Sequence, residues 1–171
     1  MIKELIKAPE SQVLVRFQDC DPYGHLNNSK YLDYMLNVRE DHLINTYDFD
    51  VFRMAKEEGR SWVVGHHEMT YVRPVFVMEK VIVQSRLISY TEKYVQAEMV
   101  MYDLHKTQVK AVLWTKFFHF DIKAQRGKEH SEDHLTLFKK LMVPIEEEKI
   151  ERRGRALAEE LKAVRFQEKV L

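Results

Sequence analysis

Between residues 61 and 121 the chain runs through four segments dense in Val, Ile, Tyr, Phe and Trp: Ser61–Arg73, Phe76–Ser89, Tyr94–Leu104 and Gln108–Asp121. Short polar stretches separate them, and Thr91-Glu92-Lys93 and His105-Lys106-Thr107 read as hairpin turns. Successive long antiparallel strands form a sheet that needs one face covered. The cover lies just upstream. Tyr31, Met35, Val38 and His42 recur at helical spacing, with Leu32, Leu36 and Leu43 beside them. This predicts an amphipathic helix of about 18 residues, capped by Asn28. Asp50 and Gly59 bracket a short helix over Val51–Glu58. Alternation from Val13 to Asp19 predicts a leading strand. Strand, long helix and four strands make an α+β architecture, its helices segregated to one face of the sheet.

After residue 130 the pattern changes. Ser131 to Leu171 has no strand signal, and 18 of its 41 residues are charged. Ser131, Glu132 and Asp133 start a helix carrying Leu135, Phe138, Leu141 and Met142. Pro144 breaks it and suits the first turn of a second helix. Along that helix Ile150, Gly154, Leu157, Leu161 and Val164 form a narrow seam. Two uses are open: packing on the chain's own domain, or docking between subunits. The division expected is residues 1–130 as one domain and 131–171 as a helical extension.

The 171 residues carry 27 basic and 27 acidic side chains. A net charge of zero gives no support for attraction to nucleic acid or to a membrane surface. Met1-Ile2-Lys3-Glu4 lacks the apolar run of a signal peptide, and no stretch approaches a membrane span. Cys20 is the one cysteine, which excludes an intrachain disulfide and a cysteine-rich zinc site. A cytoplasmic protein is the expectation.

The chemistry is concentrated at residues 19–31, Asp-Cys-Asp-Pro-Tyr-Gly-His-Leu-Asn-Asn-Ser-Lys-Tyr. Pro22 and Gly24 force a turn between the leading strand and the long helix. The helix start offers free N–H groups and the positive end of the helix dipole. Asp21 offers a nucleophile or a base. Such a set suits attack on a carbonyl. Asp21 can also simply hydrogen-bond its own turn, and Asp19 reads as a strand-end residue holding the loop.

These residues resemble the active-site loop of hot-dog-fold acyl thioesterases. Asp19-Cys20-Asp21-Pro22 and Gly24 are similar to the 4-hydroxybenzoyl-CoA thioesterase type. Asp21, His25, Asn27-Asn28, Lys30 and Tyr31 are similar to plant acyl-ACP thioesterases. Tyr71-Val72-Arg73-Pro74 resembles the end of the second strand in many such enzymes. The resemblance covers residues 10 to 122. It implies a sheet curled around the long helix, a dimer or tetramer with sites between subunits, and hydrolysis of an acyl-CoA or acyl-ACP thioester. No cofactor is implied, coenzyme A being part of the substrate.

The resemblance also implies roles. Asp21 attacks directly or activates water, and a backbone N–H near Asn27, Asn28 and Ser29 polarises the thioester carbonyl. His25 binds the carbonyl, positions water or protonates the thiolate. Acyl-ACP thioesterases carry an Asn two residues after the Asp, where this chain has Tyr23, so their full Asp-Asn-His set does not carry over. His66 and Glu68 share one face of a strand and are candidates for a substrate pocket, built in this fold from a neighbouring subunit's second strand. Arg73, Lys93, Lys116 and Arg86 are candidates for the phosphates of coenzyme A. No metal is expected, since a helical His-Glu-x-x-His arrangement is absent. Cys20 sits between two carboxylates that oppose thiolate formation, so a structural role is expected. Two other outcomes stay open: a hot-dog dehydratase or hydratase, and a binding or scaffolding protein that keeps the fold without turnover.

Overall fold

A computed structural model describes residues 5–170, with the side chains of 167–170 left aside. The leader reading at Met1–Glu4 lies outside the described residues. The elements run β1 (Glu10–Leu14), α1 (Asn28–Tyr47), α2 (Val51–Glu58), β2 (Arg60–Tyr71), β3 (Lys80–Tyr90), β4 (Tyr94–Asp103), β5 (Val109–Asp121), β6 (Arg126–Gly127), α3 (Glu132–Leu141) and α4 (Ile150–Val170). The strands form one antiparallel sheet in the order β1-β3-β4-β5-β2, with β6 paired to β5. The sheet curls around α1, so the fold is the expected α+β hot-dog.

Alternation assigns the two faces. On the inner face Val81, Val83, Ala97, Met99, Met101, Ala111 and Leu113 pack against Tyr31, Met35 and Val38 of α1. On the outer face Val100, Tyr102, Val112 and Trp114 pack against Ile150 and Leu157 of α4. Of the two uses open to the α4 seam, the described residues give packing on its own sheet. Gly154 permits the close approach, because a Cβ there would lie 3.0 Å from Thr70 Cγ2 and 3.3 Å from Val72 Cγ2. Val164, at the far end of the seam, is exposed. No helix among the described residues is long and apolar enough to cross a membrane.

Four boundaries differ from the sequence reading. β1 stops at Leu14, and Phe17–Asp19 form a 3-10 turn instead of continuing the strand. Val15 is buried in the core and still reaches the approach to β3, its N–H donating to the Glu79 carbonyl at 2.9 Å and its carbonyl accepting the Met78 N–H at 3.1 Å, and the chain turns away from the sheet after it. The expected strand over Phe76–Ser89 starts at Lys80, because Met78 adopts a left-handed turn (φ 62°) and residues 75–77 pair elsewhere. The α1 cap falls at Asn27, with Asn28 as the first helical residue. Pro144 opens no helix. The Val143 N–H donates to the Leu87 carbonyl at 2.9 Å, holding 142–149 as a strap that carries the chain to the outer face.

α2 matches its expected span, with Asp50 Oδ1 accepting from the Phe52 and Arg53 N–H groups and Gly59 left-handed at φ 67°. Ser131 caps α3 through the His134 N–H.

Candidate active site

The loop from Asp19 to Asn27 is a tight hairpin. The Asp21 N–H donates to the His25 carbonyl at 2.8 Å, and the Asn27 N–H to the Asp19 carbonyl at 3.0 Å. Gly24 turns it with φ 77°, a conformation that glycine adopts without a Cβ penalty. The segment that β3 gives up clamps the loop from outside. Leu26 N–H donates to Val75 O at 2.8 Å and Val77 N–H to Gly24 O at 2.9 Å, while the His25 ring packs edge-on against Phe76. Tyr31, at the buried start of α1, accepts the Val75 N–H at 3.1 Å. The early end of β3 is therefore part of the site's construction.

Asp21 is half-buried. Its Oδ1 accepts from the Tyr23 N–H at 2.9 Å and the His25 N–H at 3.0 Å. The turn-holding use open to Asp21 thus engages one oxygen. Among the described residues Oδ2 has no hydrogen-bond partner, so the carboxylate is held in orientation with one oxygen free to react. Asn27 makes no side-chain cap bond, which leaves the first-turn N–H groups of Asn28 and Ser29 without a side-chain acceptor. All three residues are exposed. A rigid carboxylate and a bare helix N-terminus thus flank one hairpin, a pairing suited to nucleophilic or base chemistry beside a developing oxyanion.

Asp19 holds the base of the loop. Its Oδ2 accepts from the Tyr34 hydroxyl at 2.7 Å, and Lys30 Nζ lies 3.8 Å from Oδ1. Cys20 donates its thiol to the Arg16 carbonyl at 3.4 Å. Burial first, then Asp19 and Asp21, push its pKa up, away from thiolate. Tyr71, which no local motif marks as a site side chain, donates its hydroxyl to the Asn28 carbonyl at 3.1 Å and ties β2 to the start of α1.

The other candidates separate. Arg73 stays beside the loop: it follows β2, and its N–H donates to Lys110 O two residues before the clamp begins. Its side chain is exposed and has no ion-pair partner among the described residues. His66 and Glu68 bond each other at 3.0 Å on the exposed outer side of β2, away from α1 of the same chain. Lys93 lies in the β3–β4 turn, at the opposite end of the sheet from Asp21, 4.0 Å from Glu129. Arg86 is paired with buried Glu98, and Lys116 stacks on the Tyr94 ring. Among the described residues no three His, Cys, Asp or Glu side chains converge as a metal site would require.

Farther along α1 lies an apolar cavity of about 230 Å³. Leu36, Leu43 and Tyr47 of α1, Val51 and Phe52 of α2, Trp62, Phe117, and Leu137 and Phe138 of α3 surround it. Leu32, half-buried and one turn before Leu36 of the lining, lies on α1 between Asn28 and this cavity.

Curled sheet, enclosed helix and hairpin together define a hot-dog domain. The chain belongs to the thioesterase-like superfamily, whose family model matches residues 15–170. It is 27% identical over 118 residues to long-chain acyl-CoA thioesterase FadM from Escherichia coli strain K12, spanning 69% of this chain and 87% of that protein. The crystal structure of the "probable thioesterase" YbaW from Escherichia coli superposes with a TM-score of 0.67 at 27% identity, covering 78% of this chain and 98% of its own. Slr0204 from Synechocystis, a 1,4-dihydroxy-2-naphthoyl-CoA thioesterase, shares the fold at a TM-score of 0.70 and 12% identity, over 80% of this chain and 99% of its own.

Proposed function

We propose that this protein hydrolyses acyl-CoA thioesters. The observation that carries the reading is Asp21, anchored by two backbone N–H groups through one oxygen and free at the other, in a chain of this superfamily. Asp21 takes the proton of a water that attacks the acyl carbon, or attacks that carbon itself, in which case water then cleaves the resulting anhydride to release the acid and restore Asp21. The first-turn N–H groups at Asn28 and Ser29, beside Asn27, receive the oxyanion. The C–S bond breaks, and the coenzyme A thiolate leaves and takes up a proton, with His25 within the same hairpin to assist. No cofactor enters the step. Arg73, beside the loop and without an ion-pair partner among the described residues, meets a phosphate of coenzyme A. The acyl tail follows Leu32 and Leu36 toward the apolar cavity.

The working unit is proposed to be at least a dimer. Among the described residues the outer edge of β2 has no strand partner, and Val63, Val64 and Tyr71 are exposed on it. Pairing two such edges joins two sheets. His66 and Glu68 contribute to a substrate site only by this route, from one subunit to its neighbour.

The test is thiol release from short, long and aromatic acyl-CoA esters, with wild type and Asp21→Asn side by side. Turnover by wild type and a loss of order 10² in the variant support the reading. Absence of turnover on every ester sinks it.

A further inference from the structure

The cavity beside α1 holds a charge that its apolar walls do not explain. Arg39 lines it, is 8% exposed, and belongs to no ion pair among the described residues. Among the described residues its partners are hydroxyls: Ser85 Oγ lies 3.3 Å from Nη1, and the Tyr47 side chain also bears on the guanidinium. The Ser85 hydroxyl is already engaged at 2.7 Å by His42 Nδ1, whose Nε2 lies 2.9 Å from Ser11 Oγ. The Tyr47 hydroxyl stands near the guanidinium and donates to the Ile6 carbonyl at 2.7 Å. Glu40, the one acidic residue of the lining, makes no ion pair with Arg39.

A guanidinium presents five N–H donors in a planar fork that matches a carboxylate, and burying it without a counter-charge is costly. Elsewhere in this molecule that cost is met within the chain: Arg153, 6% exposed, lies 3.0 Å from Glu98 and 3.1 Å from Glu147. At Arg39 two hydroxyls stand where carboxylates would be expected, and the free space beside them is walled by Leu, Val and Phe.

We propose that this cavity receives an aliphatic chain bearing a carboxylate, which pairs with the Arg39 guanidinium. The same chemistry has two sources. A free fatty acid brings its own head group, and this source does not depend on the thioesterase reading. An acyl thioester oxidised at its far end brings a terminal carboxylate, and this source rests on that reading. Arg39 lies eleven residues beyond Asn28, about 16 Å along the helix axis, on the order of the reach of a twelve-carbon acyl chain.

The probes are therefore dodecanoate, dodecanol, dodecanoyl-CoA and dodecanedioyl-CoA. Calorimetry compares dodecanoate with dodecanol on the wild-type chain and on Arg39→Met. The wild type is expected to prefer dodecanoate by about tenfold or more, as a bidentate charge pair implies. Arg39→Met removes the preference without lowering Tm, because an apolar side chain of similar size suits the walls. In parallel, the ratio of kcat/KM for dodecanedioyl-CoA to that for dodecanoyl-CoA is measured in both proteins. A ratio that falls about tenfold in Arg39→Met assigns the site to the tail of a thioester. An unchanged ratio, with Arg39-dependent dodecanoate binding, assigns it to the free acid. Equal affinity for dodecanoate and dodecanol in the wild type, together with an Arg39-independent ratio, overturns the proposal. The wild-type affinity comparison needs no variant, and it reads the site even in a protein that turns over no thioester.

Discussion

The two faces of the sheet are covered by different chemistry. α1 lies on the inner face through Tyr31, Met35 and Val38, against a floor of Val, Met, Ala and Leu. α4 lies on the outer face around a buried ionic cluster. Glu98 is fully buried, paired with Arg86 and with Arg153 at 3.0 Å, and accepts the Trp114 indole N–H at 2.9 Å. These partners outweigh desolvation and hold the Glu98 carboxyl below its usual pKa. The inner contact is apolar and sets where the α1 N-terminus meets the Asp21 hairpin. The outer contact is directional and sets where the C-terminal extension sits. Damage to the two faces should therefore separate stability from chemistry.

The largest effect is expected from Glu98→Ala, which leaves Arg86 without its carboxylate and Arg153 of α4 with Glu147 alone. Loss of a partner from a buried ionic group costs about 3–5 kcal/mol, read from urea unfolding. Thioester turnover per folded molecule should stay near wild type, since Glu98 lies across the sheet from Asp21. Next is Met35→Ala, a cavity under the start of α1 costing roughly 2–5 kcal/mol. Here turnover should fall as well, because the same packing fixes the helix end. Equal loss of turnover in both variants would break the proposed separation.

A smaller effect concerns the seam between sheet and extension. His119, His130 and His134 cluster with Trp62, the His119 and His130 rings stacked at 5.0 Å. His119 donates from Nδ1 to the Glu129 carbonyl and leaves Nε2 buried without a partner. Burial, then His130, lowers the His119 pKa to about 4. The unfolded chain binds that proton near pH ~6.5, so the stabilisation is whole above that pH. It drains away as pH falls from about 6.5 to about 4. Tm should drop by on the order of 5 °C across this window, and His119→Phe should flatten the slope. A Tm independent of pH there would remove the cluster from the account. The smallest effect is expected at Gly154→Ala. The helix gains up to about 1 kcal/mol of propensity, offset by the methyl contact 3.0 Å from Thr70, for a net loss near 1 kcal/mol.

What the sequence could reveal was local. Asp50 and Gly59 bracket α2 correctly because caps act within one turn of the chain. The inner face of α1 follows from spacing alone. The Asp21 hairpin was legible because its carboxylate, turn residues and helix start are contiguous. The break at Met78 was hidden, since apolar residues 75–77 look like strand while their backbone partners, Gly24 and Leu26, lie some fifty positions away. The Glu98–Arg153 contact, the Arg39 environment and the histidine stack likewise join distant segments, and no periodicity encodes them. His66 and Glu68 do share one face of β2, as alternation implies, but which face that is, and that Lys93 lies in the far turn, depend on sheet register and not on local sequence.

The most direct test of the central claim is kcat/KM of Asp21→Asn on the best acyl-CoA substrate, with Tm measured on the same sample. An asparagine Oδ1 can still accept the Tyr23 and His25 N–H groups, so the hairpin should persist and Tm should hold. A loss of order 10² or more with folding intact is expected if Asp21 is the reacting carboxylate. A variant that folds and hydrolyses at the wild-type rate would contradict that role.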